Sequence, residues 1–93
     1  MDARIEEELI NEYIHKIQAL AVLALYGQDV DSSIKSVISE ACYFFFLQRS
    51  DAAANLVAFK SRLTKMADVT HYSLPEYKRP LEYAASLIAI CQL

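Results

Sequence analysis

The residues whose types and spacing come nearest to a chemical site lie in the first 15 positions. Glu12 and His15 form a Glu-x-x-His, the spacing by which di-iron carboxylate bundles ligate metal, and Glu8 lies one turn earlier on the same face. Such bundles need a second Glu-x-x-His on another helix, and here the other histidine, His71, stands in a predicted loop. The three side chains also lie opposite the apolar stripe of their helix. Polar residues are expected on that solvent-facing side without any metal-binding role. We therefore predict no metal site and no cofactor.

Nucleophilic chemistry would have to come from one of two cysteines, Cys42 or Cys91. Both lie in apolar helical patterns, where cysteine packs as a small hydrophobic residue and not as an activated thiolate. The alternative to two buried thiols is one disulfide that joins two helices. The chain has a single glycine, so it offers no glycine-rich loop to hold a phosphate, and no serine lies in a nucleophile-elbow motif. We predict that the protein is not an enzyme.

The composition of the chain argues against several other classes of protein. The 93 residues are 55% hydrophobic, above the usual ~45–50%, and carry a net charge of −3. This charge argues against nucleic-acid binding, although a DNA-binding regulator stays as a third hypothesis. No apolar run approaches the ~18 residues of a membrane span, and the acidic first 12 residues do not resemble a secretory signal, so we expect a cytoplasmic protein.

Apolar residues recur with helical spacing through most of the chain, and this predicts a single all-α domain. We expect a small antiparallel bundle of four main helices over about residues 2–26, 33–48, 51–67 and 80–92, with helices two and three alternatively continuous. Gly27 should end helix one, and Ser50 or Asp51 should cap helix three. Pro75 opens a short extra turn before the last helix, because Pro80 should prevent a longer one.

Two stretches are apolar around the whole helical circumference. Residues 41–47 read Ala-Cys-Tyr-Phe-Phe-Phe-Leu, and at ~100° per residue seven consecutive apolar side chains leave no face for water. Phe45 and Cys42 should face the core, whereas Tyr43 and Leu47 should point away and be covered by another protein. Residues 19–26 of helix one lack a polar face as well, and we expect other helices to wrap around them.

Acidity is concentrated in the first 31 residues, which hold seven acidic and two basic side chains. In length, helical content and acidic bias the chain is similar to small helical inhibitors such as bacterial toxin-immunity proteins, a similarity of type and not of motif. This implies an inhibitor that binds a basic protein, for example a nuclease toxin. The alternative is a self-associating structural or adaptor protein that uses the aromatic helix, so a homodimer stays open. The predicted partner-binding residues are Glu7, Glu8, Glu12, Tyr43, Leu47, Tyr72 and Tyr77.

Overall fold

A computed structural model describes residues 3–47, 52–69 and 74–91. Within these ranges the chain forms four helices and no strand, so the predicted all-α bundle is confirmed. The helices are α1 (Ala3–Leu25), α2 (Asp31–Leu47), α3 (Ala52–Val69) and α4 (Pro75–Cys91). Each of the four contacts the other three, and α4 makes the most extensive contacts.

Side-chain pairs between α1 and α2 show that these helices are antiparallel. The Tyr13 ring lies 6.3 Å from the Phe45 ring, and the Lys16 ammonium lies 3.7 Å from the Glu40 carboxylate. As residue numbers rise along α1, the numbers of the α2 residues that they contact therefore fall. The amino-terminal half of α1 consequently lies beside the carboxyl-terminal turn of α2.

The other two helices complete an alternating up-and-down arrangement. Arg62 of α3 donates a hydrogen bond to Asn11 of α1. Two turns further along each helix, Gln18 and Val69 line one cleft, so α1 and α3 are parallel. On α4, Arg79 pairs with Asp31 of α2. Ile38 and Leu87 share a groove further along α2 and α4, so these two helices are also parallel.

The core is built from one apolar stripe of each helix. Its centre is a trio of rings, Tyr13, Phe45 and Phe59, whose centroids are 6.2–6.4 Å apart in tilted and edge-to-face geometries. Aliphatic side chains complete it above and below, and the large ones without exposed surface are Ile17, Ile34, Leu63, Leu81 and Ile88.

Gly27 ends α1 as the sequence predicts. Its φ of 87° is left-handed, a conformation that glycine adopts without steric cost. The Gly27 N–H donates to the Ala24 carbonyl at 3.0 Å, and the Gln28 N–H donates to the Leu23 carbonyl at 3.3 Å. These two bonds are the pair that defines a Schellman motif, and they satisfy the Leu23 and Ala24 carbonyls within the turn.

The prediction of a separate turn before the last helix is wrong, because α4 is continuous from Pro75 to Cys91 with Pro80 inside it. Pro80 follows the helix start by five residues, so it removes the one hydrogen bond that its N–H would make to the Glu76 carbonyl. Its ring is fully buried among the core side chains. Burial of that apolar ring offsets the missing bond, and the helix continues.

Helix α2 begins two residues earlier than predicted, at Asp31. The acceptor for its first N–H is the carboxylate of Asp29, 3.1 Å from the Asp31 nitrogen, and not the side chain of Asp31 or Ser32. The predicted caps at Ser50 and Asp51 lie outside the described residues, as does the connection between α2 and α3.

Candidate protein-binding surface

The last turn of α2 presents large apolar side chains to solvent. Tyr43 is 64% exposed, Phe46 58% and Leu47 56%, and Phe44 is also exposed, while Phe45 between them has no exposed surface. We call the four outward side chains the aromatic turn. The predicted orientation of this run is thereby confirmed, with Cys42 and Phe45 inward and Tyr43 and Leu47 outward.

The geometry of the aromatic turn follows from the anchoring of Phe45. Its ring packs edge-to-face on Tyr13 of α1 and Phe59 of α3, which fixes the rotation of α2 about its own axis. At ~100° per residue the two neighbours on each side must then point sideways or outward. Tyr43 and Phe44 meet outside the core with ring centroids 6.3 Å apart and planes at 73°. The aromatic turn is therefore a fixed feature of the fold.

The acidic residues of α1 lie on the surface at the same end of the bundle as this turn. Glu7, Glu8 and Glu12 are all exposed, as is His15. Glu8, Glu12 and His15 face away from the core, so the Glu-x-x-His spacing lies on a solvated face. Glu7 lies on the other side of α1, in a cleft shared with Ala58 and Arg62 of α3.

One carboxylate from α2 joins the acids of α1 at this end of the bundle. Glu40 is exposed and precedes Phe44 by one helical turn. The pKa of Tyr13 is raised to about 12, first because burial disfavours its anion and then because Glu40 and Glu12 repel that anion. Both carboxylates thus act electrostatically on the same hydroxyl. We call Glu8, Glu12 and Glu40 the acidic rim.

Lys16 is the basic residue within this rim. Its ammonium lies 3.7 Å from the Glu40 carboxylate and 5.1 Å from the centre of the Tyr13 ring. It therefore neutralises one of the three rim carboxylates and leaves a local excess of negative charge. Both members of the ion pair are roughly half exposed, so salt will screen their interaction.

The structure brings together some of the predicted partner-binding residues and separates others. Glu8, Glu12, Tyr43 and Leu47 share one end of the bundle. Tyr77 is half-buried at the other end, where it packs against the core and lines a cleft between α1 and α3. Tyr72 and His71 lie outside the described residues.

Glu40 is a member of the surface that sequence reasoning missed. The only local signal for it was its position one turn before the aromatic run. Its place beside Glu12 depends on the register between α1 and α2, and the Tyr13–Phe45 contact sets that register.

The expectation that other helices wrap the end of α1 is wrong for the described residues. Val22 and Leu23 are exposed, and Tyr26 is 81% exposed, whereas Ala21 and Ala24 are buried. The inward residues of this turn are alanines, so the neighbouring helices close on one narrow face and leave the rest uncovered.

The described ranges contain neither a metal-binding cluster nor a membrane-spanning helix. Among those residues, no group of three or more His, Cys, Asp or Glu side chains is placed to hold a metal ion. None of the four helices, as far as the structure describes them, combines the length and apolar character that a bilayer crossing requires.

Comparison with known proteins gives no relative: no family model, no curated protein and no solved structure matches the chain.

Proposed function

We propose that this protein acts by binding another protein, as a small inhibitor of the toxin-immunity type that neutralises a basic partner. The observation that supports this is the exposed aromatic turn of α2 beside the acidic rim of α1 and α2. Protein interfaces combine an apolar, aromatic-rich centre with a polar edge, and this end of the bundle has both parts.

The two parts have different roles in binding. The aromatic turn supplies the buried anchors, of which Tyr43 and Leu47 are the most outward. The acidic rim selects a partner that carries lysine or arginine around an apolar recess, because opposite charges speed association and like charges suppress wrong partners. The cleft of a nuclease toxin, which must attract phosphate, has that chemistry.

Self-association through the aromatic turn is the alternative. A twofold-symmetric contact places the same patch of both copies face to face. The acidic rims of two copies would then approach each other, and this repulsion weakens the contact. The charge of the surface therefore favours a different, basic protein over a second copy.

The test is affinity capture from cells of the source organism, followed by binding measurements with the purified partner. Glu8→Lys with Glu12→Lys should slow association strongly at low salt, and the difference should shrink as salt rises. Tyr43→Ala with Leu47→Ala should instead speed dissociation, since a buried anchor contributes ~2 kcal/mol or more.

A matched control reverses the same number of charges elsewhere. Asp68 and Glu82 are exposed on α3 and α4 around a cleft away from the aromatic turn, so Asp68→Lys with Glu82→Lys should leave the association rate nearly unchanged. If both pairs of substitutions slow association equally, the effect comes from the net charge of the protein and not from the position of the acidic rim. A dimer of the isolated protein that Tyr43→Ala dissociates would support the self-association alternative.

A further inference from the structure

The outer side of α1 changes from acidic to apolar halfway along the helix. At ~100° per residue, the side opposite the core carries Glu8 and Glu12 in the first half of α1. The same side is apolar in the second half, and all of its side chains there are exposed. We call this part the apolar face of α1, and it consists of Ala19, Val22, Leu23 and Tyr26.

The neighbours of the apolar face leave it accessible and give it no net charge. On the side of α2, the Lys16–Glu40 pair sets the antiparallel register, so seven residues further along α1 Leu23 comes to the height of Ser33. Ser33 is exposed, short and uncharged. On the side of α4, this end of α1 borders a cleft lined by charges of both signs. The apolar face therefore does not select a basic partner as the acidic rim does.

A second copy of the chain fits the apolar face when the two α1 helices pack antiparallel. The apolar halves then overlap about a twofold axis that passes between Val22 and Leu23. Ala19 of each copy lies opposite Tyr26 of the other, because both positions are equally far from that axis. A small residue opposite a large ring lets the two helix surfaces interdigitate.

The charges of α1 select the antiparallel orientation. A parallel pair would place the Glu8 side chains of the two copies together, and those of Glu12 as well. In the antiparallel pair Glu12 lies about ten residues from the axis, and at a rise of 1.5 Å per residue the two copies of Glu12 are ~30 Å apart. This separation is several times the Debye length of ~8 Å at physiological salt, so the acidic rims do not oppose the contact.

We propose that two copies of this protein associate through the apolar face of α1, with their α1 helices antiparallel. The dimer covers the apolar run that the other helices of one chain leave exposed. It leaves both aromatic turns uncovered. One helix from each copy makes a small interface, so the dimer is weak and the monomer predominates in dilute solution. The inference does not rest on the proposed function, because it uses neither the aromatic turn nor a different partner.

Sedimentation velocity of the full-length protein over a range of concentrations measures this association. We expect a reversible equilibrium between monomer and dimer. Val22→Glu should raise the dimer dissociation constant by ~10-fold or more, because it places a carboxylate in each half of the apolar contact, and Leu23→Lys should do the same with an ammonium. Tyr26→Ala, at the most exposed position of the face, should weaken the dimer as well. Melting curves in dilute solution check that each variant folds.

A mixture of the two charged variants tests the antiparallel geometry. In a mixed dimer, position 22 of one copy faces position 23 of the other. The introduced carboxylate then faces the introduced ammonium, and the remaining Val22 faces the remaining Leu23. The equimolar mixture should therefore dimerise more strongly than Val22→Glu or Leu23→Lys alone, a gain that a parallel pair would not give.

The matched control removes exposed apolar side chains from the other end of the bundle. Tyr43→Ala with Leu47→Ala should leave the dimer dissociation constant unchanged. Three results would overturn the proposal. The first is a protein that stays monomeric up to ~1 mM. The second is a dimer that the control dissociates and Val22→Glu does not. The third is a mixture of the charged variants that dimerises no better than either variant alone.

Discussion

The ends of α1 and α2 carry similar apolar runs but differ in what holds them and in what lies beside them. The end of α2 turns Phe45 into the core, where it contacts Tyr13 and Phe59, and leaves the aromatic turn outside. The end of α1 turns Ala24 inward and is fixed by the backbone of the Gly27 turn. One end is anchored by side-chain packing and the other by main-chain hydrogen bonds.

The surroundings of the two ends differ as well. The aromatic turn lies beside the carboxylates of the acidic rim, whereas the end of α1 borders a cleft with charges of both signs, among them Glu76 and Arg79 of α4. An exposed apolar patch gains specificity from the polar groups at its edge. The net negative charge at its edge therefore distinguishes the apolar run at the end of α2 from the similar run at the end of α1, whose charged neighbours are of both signs.

The largest expected effect is that of removing the anchor of the aromatic turn. Phe45→Ala deletes a fully buried ring and should destabilise the protein by ~3–5 kcal/mol, a large part of the ~5–15 kcal/mol available to such a domain. Urea unfolding of the variant checks this. A cost below about 1 kcal/mol would mean that Phe45 does not fix the end of α2, and the contrast between the two ends would be lost.

The pH dependence of stability at alkaline pH tests whether Tyr13 is both buried in the ring trio of the core and influenced by the carboxylates of the acidic rim. The folded pKa is about 12 against 10.0 for the unfolded chain, so between these values the unfolded state releases a proton that the folded state keeps. Stability should therefore fall as pH rises from 10.0 to about 12, with no contribution from this group below that window.

Two phenylalanine variants isolate this contribution. Tyr13→Phe should remove it from the pH dependence of unfolding measured with urea. Tyr26→Phe, at an exposed position on the end of α1, should retain it. The same pH dependence in both variants would place its origin elsewhere in the chain.

At the end of α1 a backbone change should matter more than a side-chain change. Gly27→Ala places a Cβ at a φ of 87° with no neighbouring atom within 4 Å, so its cost is conformational and should be about 1 kcal/mol. Thermal unfolding measures the cost. A Gly27→Asn variant should lose less, because asparagine tolerates the left-handed region better than alanine. Equal losses in the two variants would argue against this backbone account.

The sequence was sufficient for features that depend on neighbours along one helix. Helical periodicity correctly oriented Phe45 inward and Tyr43 outward, and the lone glycine correctly marked the end of α1. Pro80 was misjudged because a rule about one lost hydrogen bond contains no information on the burial of the ring.

The composite surface needed information that no single helix contains. Glu12 and Glu40 are 28 positions apart, and only the antiparallel register of α1 and α2 brings both near the hydroxyl of Tyr13. The uncovered end of α1 was missed for a related reason. A chain of this size buries only roughly two-thirds of its surface, so an apolar run can extend past the available core.

The smallest effects on stability should come from one exposed tyrosine at each end, and their comparison separates folding from binding. Tyr26 is 81% exposed and Tyr43 is 64% exposed, so replacement of either by alanine removes little packing. Each variant should therefore unfold within ~0.5 kcal/mol of the parent. The two variants should differ in partner binding, where only Tyr43→Ala weakens affinity because only Tyr43 adjoins the acidic rim. If Tyr26→Ala weakens binding as much, the interface extends to the end of α1, and the distinction between the two apolar runs fails.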